Sequence, residues 1–454
     1  MSRRRRASPA GTAQPNQRRV VSQGAVPSVE PGGRNRYVDL VRLVAILVVV
    51  VGHWLDTTII VVRGQPVGQS ALAVVGYFRW LTLLLQVMPM FFVAGGYAAA
   101  ASWPSWRARG GRWPGWTHGR LVRLLRPTSW FVAIMACLAA VACLLGVDPV
   151  LLGQAGWGVA LQLWFLPVYL LLIVLAVPML GAWCRAGWLV LATGVALVVA
   201  VDVLMRVGHV MAAGPVSYLL APGAGFVLGI AWHAGALARR WVPIALLAGG
   251  GLALLVLVAL FDYPPWMIGV PGEPTSNTGP PNLALLAYSA AQIGIVLLVE
   301  APVQHWLARP RVWAVVVRGN GVVMSLYLWH MVPVVILAAL AHATGLLPGP
   351  RAGSLPWWGL RVFWIGALAL VLAGVVWLVG RFERARPPRL GRAGFAASTL
   401  LLVCAVLTGY ALSRLAVGGF APAGHVAVGA LAIYATGMLA LWLAGRAGDR
   451  SGSP

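Results

Sequence analysis

The chain has 454 residues, of which 60% are hydrophobic and only 10% are charged, and its mean hydropathy is +0.83. Globular domains carry about 25% charged residues, so this composition excludes a secreted domain, a soluble dinucleotide-binding enzyme and a disordered scaffold. All 34 basic residues are arginine, and they give a net charge of +24 against 10 acidic residues. They lie between apolar runs, which is typical of loops that orient membrane helices and not of a nucleic-acid-binding surface.

The predicted elements begin with a polar, basic tail over residues 1–36, which we expect to be disordered. Apolar runs of membrane-spanning length follow, and we place twelve of them at about 37–62, 81–101, 125–146, 160–182, 187–205, 216–237, 242–261, 282–301, 321–341, 357–380, 394–413 and 424–444. These runs predict an all-α, polytopic transmembrane bundle. Residues 37–392 would form a membrane domain of ten helices, and residues 393–454 would add two helices and a short cytoplasmic tail. The four cysteines show no pairing or metal-binding pattern, so neither a disulfide nor a metal site is expected.

Loop arginines predict the orientation of these helices. With the tail placed inside, 27 of the 34 arginines fall in the tail and the inner connections, and four fall in the outer ones. Because cytoplasmic loops carry an excess of arginine, we expect a multi-pass protein of the plasma membrane with both termini cytoplasmic.

The first apolar run carries three polar side chains, Asp39, Arg42 and His53. Asp39 and Arg42 are three residues apart and could pair on one helix face. His53 follows Arg42 by eleven residues, which places the two on the same face, roughly 16 Å apart along the axis. A histidine there is suited to abstract a hydroxyl proton near neutral pH. An interfacial salt bridge and a packing histidine are the structural alternatives.

Two further segments carry candidate site residues. Arg120 and Arg123 lie three apart at a predicted helix start, where they could grip phosphate groups or simply anchor the helix at the inner surface. A later run contains Ser325, Tyr327 and His330. Because Ser325 and His330 are five residues apart and do not share a helix face well, a serine–histidine nucleophile pair is not expected.

Five segments, taken in order, resemble the acyltransferase 3 family of integral-membrane acyltransferases. The first contains Asp39, Arg42 and His53, and the others are Met88 to Tyr97, Arg120 to Pro127, Trp164-Phe165-Leu166, and Ser325 to His330. The resemblance covers roughly residues 36–386.

The resemblance implies a ten-helix unit that moves an acyl group, often acetyl, from cytoplasmic acyl-CoA to a hydroxyl of a cell-envelope glycan, a lipid or a small natural product. Acyl-CoA would be a co-substrate, with no bound cofactor. His53 would be the catalytic base or a transient acyl carrier, supported by Asp39 and Arg42, and Arg120 and Arg123 would hold the phosphates of the donor. The acceptor or oxyanion side would then involve Ser325, Tyr327, His330 and Trp164.

Other functions remain compatible with the sequence. A transporter or flippase could use the His, Arg and Asp stripe of the first helix as a proton relay, although no symmetric pair of interrupted helices is visible. A non-catalytic membrane scaffold would predict that replacing His53 is harmless. A different membrane O-acyltransferase fold with a buried histidine is a further alternative.

Overall fold

The computed structural model describes residues 35–347, 349–383 and 395–450. The predicted tail therefore lies outside the described residues, apart from its last two. The helices of the first half are α1 (Arg36–Asp56), α2 (Ala71–Val74), α3 (Thr82–Leu85), α4 (Met88–Ala108), α5 (Trp113–Leu144), α6 (Pro149–Gly158), α7 (Phe165–Ala186), α8 (Trp188–Arg206) and α9 (Gly214–His233). Those of the second half are α10 (Trp241–Leu260), α11 (Leu283–Leu298), α12 (Glu300–Leu307), α13 (Pro310–Trp329), α14 (Val332–Ala343), α15 (Leu355–Glu383), α16 (Phe395–Gly418) and α17 (Val428–Arg450). Short 3-10 helices cover Gly76–Leu81, Leu161–Trp164, Met211–Ala213 and Pro422–Gly424.

The predicted all-α polytopic bundle is confirmed. Among the described residues, 11 helical segments are long and apolar enough to cross a membrane. The pair α11 and α12, bent by 49° at its junction, brings the number to 12 when it is counted as one span. That number agrees with the twelve apolar runs of the sequence.

The first predicted run extends too far, because only its first part is helical. Helix α1 ends at Asp56, and strand β1 (Thr57–Val62) pairs with antiparallel strand β2 (Gln65–Ser70). All six residues of β1 are β-branched, which favours a strand over a helix. The two turn residues Arg63 and Gly64 both have positive φ, as a tight hairpin turn requires. The hairpin leaves His53 in the last turn of α1 rather than deep in a longer helix.

Glycine lets α4 and α9 approach each other at backbone distance. A Cβ on Gly96 would lie 1.9 Å from the carbonyl oxygen of Phe226, and one on Gly229 would lie 2.0 Å from that of Val93. Small residues of this kind allow close packing where apolar lipid offers no hydrophobic driving force for helix association. The contact fixes α4, which lines one side of the candidate site.

Side-chain contacts define two ends of the bundle. At the end where α1 begins, Asn35 caps the helix and donates to the Tyr97 hydroxyl (3.1 Å), while Gln304 donates to Asn35 (3.0 Å). We call this the arginine-rich end, because 27 of the 34 arginines of the chain, those of the tail and the inner connections, are expected there. At the opposite end, Arg361 of α15 donates to the carbonyl oxygens of Trp54 (3.2 Å) and Thr57 (2.7 Å).

The two C-terminal helices pack into the same core as the rest of the bundle. Phe420, after α16, meets Phe131 of α5 edge to face at 5.9 Å between ring centroids. Tyr434 of α17 shares a 2.9 Å hydrogen bond with the Ser129 hydroxyl of α5. Cys404 of α16 is fully buried.

Candidate active site

Two histidines from distant parts of the chain meet inside the bundle. Nδ1 of His53, on α1, lies 3.2 Å from Nε2 of His330, which follows α13. The two rings are 5.1 Å apart at an angle of 62°. His330 is completely buried and His53 is half-buried.

A break between α13 and α14 places His330. Helix α13 ends at Trp329 and α14 begins at Val332, one residue before Pro333. Proline has no N–H to continue the helical ladder and disfavours the helical conformation of the residue before it. The break leaves carbonyl oxygens of the last turn without helical partners, and one of them, Tyr327 O, lies 2.7 Å from His330 Nδ1.

These two contacts determine how neutral histidines would arrange their protons. A carbonyl oxygen only accepts, so the contact with Tyr327 O puts a hydrogen on Nδ1 of His330. Nε2 of His330 then carries a lone pair and accepts from Nδ1–H of His53. This leaves the lone pair on Nε2 of His53, an atom with no hydrogen bond to any other described residue. The arrangement resembles a base oriented by a second group, with an imidazole in place of a carboxylate.

An arginine-lined cavity of about 350 Å³ lies on the arginine-rich side of the histidine pair. Its cationic side chains come from two helices, Arg42 of α1 and Arg120 and Arg123 of α5. Tyr169 of α7 and Asn320 and Ser325 of α13 add polar groups to the lining. Three guanidinium groups around one cavity favour a ligand with several anionic oxygens.

Arg120 is held in place by α4. Its Nη2 donates to the carbonyl oxygen of Ala98 (2.9 Å) and to Ser102 Oγ (2.5 Å), and its guanidinium lies 4.2 Å from the ring centroid of Trp116. The sequence suggested that these arginines mark the start of a helix, but α5 begins at Trp113, so Arg120 and Arg123 lie inside it. They therefore face a helix-lined cavity and not an open loop.

Seven of the nine site residues predicted from the sequence fall into two groups, the cavity lining and the histidine pair with Tyr327. Arg42, Arg120, Arg123 and Ser325 line the cavity, and Tyr327 lies beside the histidine pair with its hydroxyl donating to the carbonyl oxygen of Gln162. The cavity extends along α13 as far as Ser325, five residues before His330.

The other two predicted residues, Trp164 and Asp39, are placed by other contacts. Trp164 is 37% exposed and its ring packs edge to face on Phe165. Asp39 is half-buried, and its main-chain carbonyl accepts a hydrogen bond from Asn320 Nδ2 (2.9 Å).

Several polar groups around the site were not predicted from the sequence. Gln162 donates to Leu328 O (2.9 Å), Trp54 donates to His330 O (2.7 Å), and Arg361 anchors the end of α1. A single polar residue within an apolar run was the available signal for Gln162 and Arg361, because such groups are costly to bury without a partner. Trp54 carried no signal beyond its place next to His53.

A family model described as an acyltransferase domain matches residues 35–380. No match was found among curated proteins or among solved structures. The matched range begins at the cap of α1 and ends near the end of α15, so it contains both histidines and all three cavity arginines.

Proposed function

The chain belongs to the acyltransferase 3 family and is an integral-membrane acyltransferase, and from this we propose that it acylates hydroxyl groups. The acyl group, acetyl in the simplest case, comes from cytoplasmic acyl-CoA. The acceptor is a hydroxyl of a cell-envelope glycan, a lipid or a small natural product. The observation that carries this proposal is the 3.2 Å contact between His53 and His330, which leaves a lone pair on His53 for the acceptor hydroxyl.

The chemistry needs a base, a nucleophile and a leaving thiol. Nε2 of His53 takes the proton of the acceptor hydroxyl as its oxygen attacks the thioester carbonyl carbon. The imidazolium that forms is stabilised through its Nδ1–H by the lone pair of His330. When the tetrahedral intermediate collapses, the carbon–sulfur bond breaks and the thiolate of CoA leaves with the proton held by His53. The products are the acyl ester and CoA, and the histidine returns to its neutral form.

The arginine-lined cavity supports the placement of the donor. Arg42, Arg120 and Arg123 supply the charge that the phosphates of CoA require. Arg42 precedes His53 by eleven residues on α1, so the phosphate site and the base are roughly 16 Å apart along the helix. A donor bound by its phosphates at the arginines would extend its acyl end toward the histidine pair.

The distribution of arginine supports the orientation. The cavity belongs to the end of the bundle at which 27 of the 34 arginines of the chain are expected, and the positive-inside tendency makes that end cytoplasmic. Acyl-CoA is a cytoplasmic metabolite, so donor and donor site would be on the same side of the plasma membrane, with both termini cytoplasmic.

The proposal is tested with the purified full-length protein in nanodiscs and radiolabelled acetyl-CoA. Release of CoA, label on the protein and label on added envelope extract are measured for the wild type and for His53→Ala. His342→Ala is the matched control, since His342 is an exposed residue at the end of α14. Thermal melts verify that all three proteins are folded.

We expect turnover in the wild type and in His342→Ala and its loss in His53→Ala. Label that stays on the wild-type protein and is absent from His53→Ala would assign His53 the role of acyl carrier in place of base. Equal turnover in all three proteins, or no turnover in any of them, would overturn the proposal. Transport driven by a proton relay would then be the function to examine.

A further inference from the structure

We propose that Gln162 and Trp54 are positioning residues for acyl transfer, and that they act by holding the broken helix that presents His330 to His53. This inference rests on the proposed function, because it assigns a role within the same reaction. Neither residue is expected to touch the substrate. Both donate to main-chain carbonyl groups at the end of α13, Gln162 to Leu328 O and Trp54 to His330 O.

The helix break at Pro333 leaves free the carbonyl oxygens to which Gln162 and Trp54 donate. The last turn of α13 exposes carbonyl oxygens that a continuous helix would use internally. Buried carbonyl groups that lack a partner are costly, most of all in a membrane, so they need other donors. Leu328 O accepts from Gln162 Nε2 (2.9 Å) and His330 O accepts from Trp54 Nε1 (2.7 Å).

Gln162 contacts the break twice. Its side chain donates to Leu328 O, and its main-chain carbonyl accepts from the hydroxyl of Tyr327. It is only 2% exposed and lies in the short 3-10 helix before α7. Two contacts to successive residues fix the rotation of the last turn of α13, and hence the direction of the Tyr327 carbonyl that holds His330 Nδ1.

Trp54 connects the two histidines through the backbone. It is the residue next to His53, and its indole N–H binds the carbonyl of His330, so it couples the end of α1 to the helix break. The carbonyl of Trp54 is in turn bound by Arg361 (3.2 Å). The separation of the two imidazoles therefore depends on these backbone contacts as well as on the contacts of the imidazoles themselves.

The test compares two variants with controls of the same chemistry. Gln162→Leu and Trp54→Phe each remove one donor to the helix break. Gln292→Leu is the control for the first, because Gln292 is also buried and donates its Nε2 to a main-chain carbonyl, Gln86 O (2.7 Å), on another part of the bundle. Trp113→Phe is the control for Trp54→Phe, because the indole N–H of Trp113 also donates to a main-chain carbonyl, Val174 O (3.2 Å), away from the helix break.

Turnover of radiolabelled acetyl-CoA by the full chain in nanodiscs gives kcat and KM. We expect kcat to fall about 10- to 100-fold in Gln162→Leu and Trp54→Phe, the range produced by small misplacements of reacting groups. KM for acetyl-CoA should stay within about twofold, because the arginine cavity is untouched. The two controls should keep wild-type kcat even where their melting temperatures fall.

A third variant gives a pH readout that a purely structural role would not produce. In Gln162→Glu the protonated carboxyl can donate to Leu328 O, whereas the ionised carboxylate cannot. Its activity relative to the wild type should therefore be high at low pH and fall as the carboxyl ionises. If Gln162→Leu does not fold, this variant and Trp54→Phe carry the test.

The outcomes separate the two proposals. An active wild type with inactive His53→Ala, together with equal kcat in Gln162→Leu and Gln292→Leu, would overturn the positioning role and leave the acyltransferase proposal standing. A wild type without any acetyl-CoA turnover would overturn the acyltransferase proposal and the positioning role with it.

Discussion

His53 and His330 are separated by 277 positions in the chain, yet Nδ1 of the first lies 3.2 Å from Nε2 of the second. The contact joins the last turn of α1 to the break after α13, and each histidine is also fixed by its own element. Because the Tyr327 carbonyl holds one nitrogen of His330, the other is available only as an acceptor. The pair therefore behaves as one unit, and its two members should not contribute independently to turnover.

We predict non-additive losses for the histidine pair. His53→Ala should leave only a residual turnover, because it removes the proposed base, and His330→Ala should lower kcat by about 10²–10⁴-fold, as loss of an orienting partner does in comparable units. The double variant should be no worse than His53→Ala alone. The measurement is a double-mutant cycle on acetyl-CoA turnover. Losses that multiply would show that the histidines act separately and would contradict the prediction.

A second prediction concerns the donor site. Arg123→Gln should raise KM for acetyl-CoA about tenfold with little change in kcat, because it removes one charge from the phosphate-binding cavity without touching the histidine pair. Arg123 is preferred to Arg120, whose bonds to Ala98 and Ser102 also hold helices together. Arg185→Gln is the control, since Arg185 is exposed and donates to a carbonyl oxygen of its own helix (3.1 Å to Gly181 O), away from the cavity. Equal KM values in the two variants would remove Arg123 from the donor site.

The periodicity of the sequence predicted much of the helical architecture. The features that it did not predict depend mostly on contacts between residues far apart in the chain. The spacing of Arg42 and His53 placed them on one helix face, and both face α13, Arg42 at the cavity and His53 at His330. The hairpin after α1 was hidden because β1 contains two isoleucines and two valines, which continue the hydrophobic run of the helix. The role of Gln162 depends on Leu328, 166 residues away, and no local pattern encodes such a pairing. The helix break itself had a local signal in Pro333, but its consequence for His330 depends on α1.

A third prediction tests the close packing of α4 and α9. Gly229→Ala should destabilise the protein by about 3 kcal/mol, because its Cβ would lie 2.0 Å from a backbone carbonyl oxygen that cannot move without shifting α4. Gly249→Ala is the control, since a Cβ there meets nothing within 4 Å and alanine is the better helix former. Thermal unfolding in the same detergent compares the two. Equal melting temperatures would contradict the close contact.

The last prediction concerns the loop that covers the end of the bundle opposite the arginine-rich one. Arg79 donates to Glu273 (2.7 Å) and to Leu72 O (3.1 Å), and its guanidinium lies 5.0 Å from the ring centroid of Trp266. Arg79→Met should therefore destabilise the protein by about 1–2 kcal/mol, because it removes an ion pair, a hydrogen bond and a cation–π contact together. Glu273→Gln removes only the ion pair.

That ion pair is partly exposed, with side-chain exposures of 25% and 29%, so its loss should cost less than about 1 kcal/mol and should matter less still at high salt. The two variants are compared by thermal unfolding at low and high ionic strength. We expect Arg79→Met to stay less stable than Glu273→Gln at high salt, because the contacts of Arg79 with Leu72 O and Trp266 depend on salt less than the ion pair does. Equal stability of the two variants at both ionic strengths would mean that the ion pair alone attaches the loop.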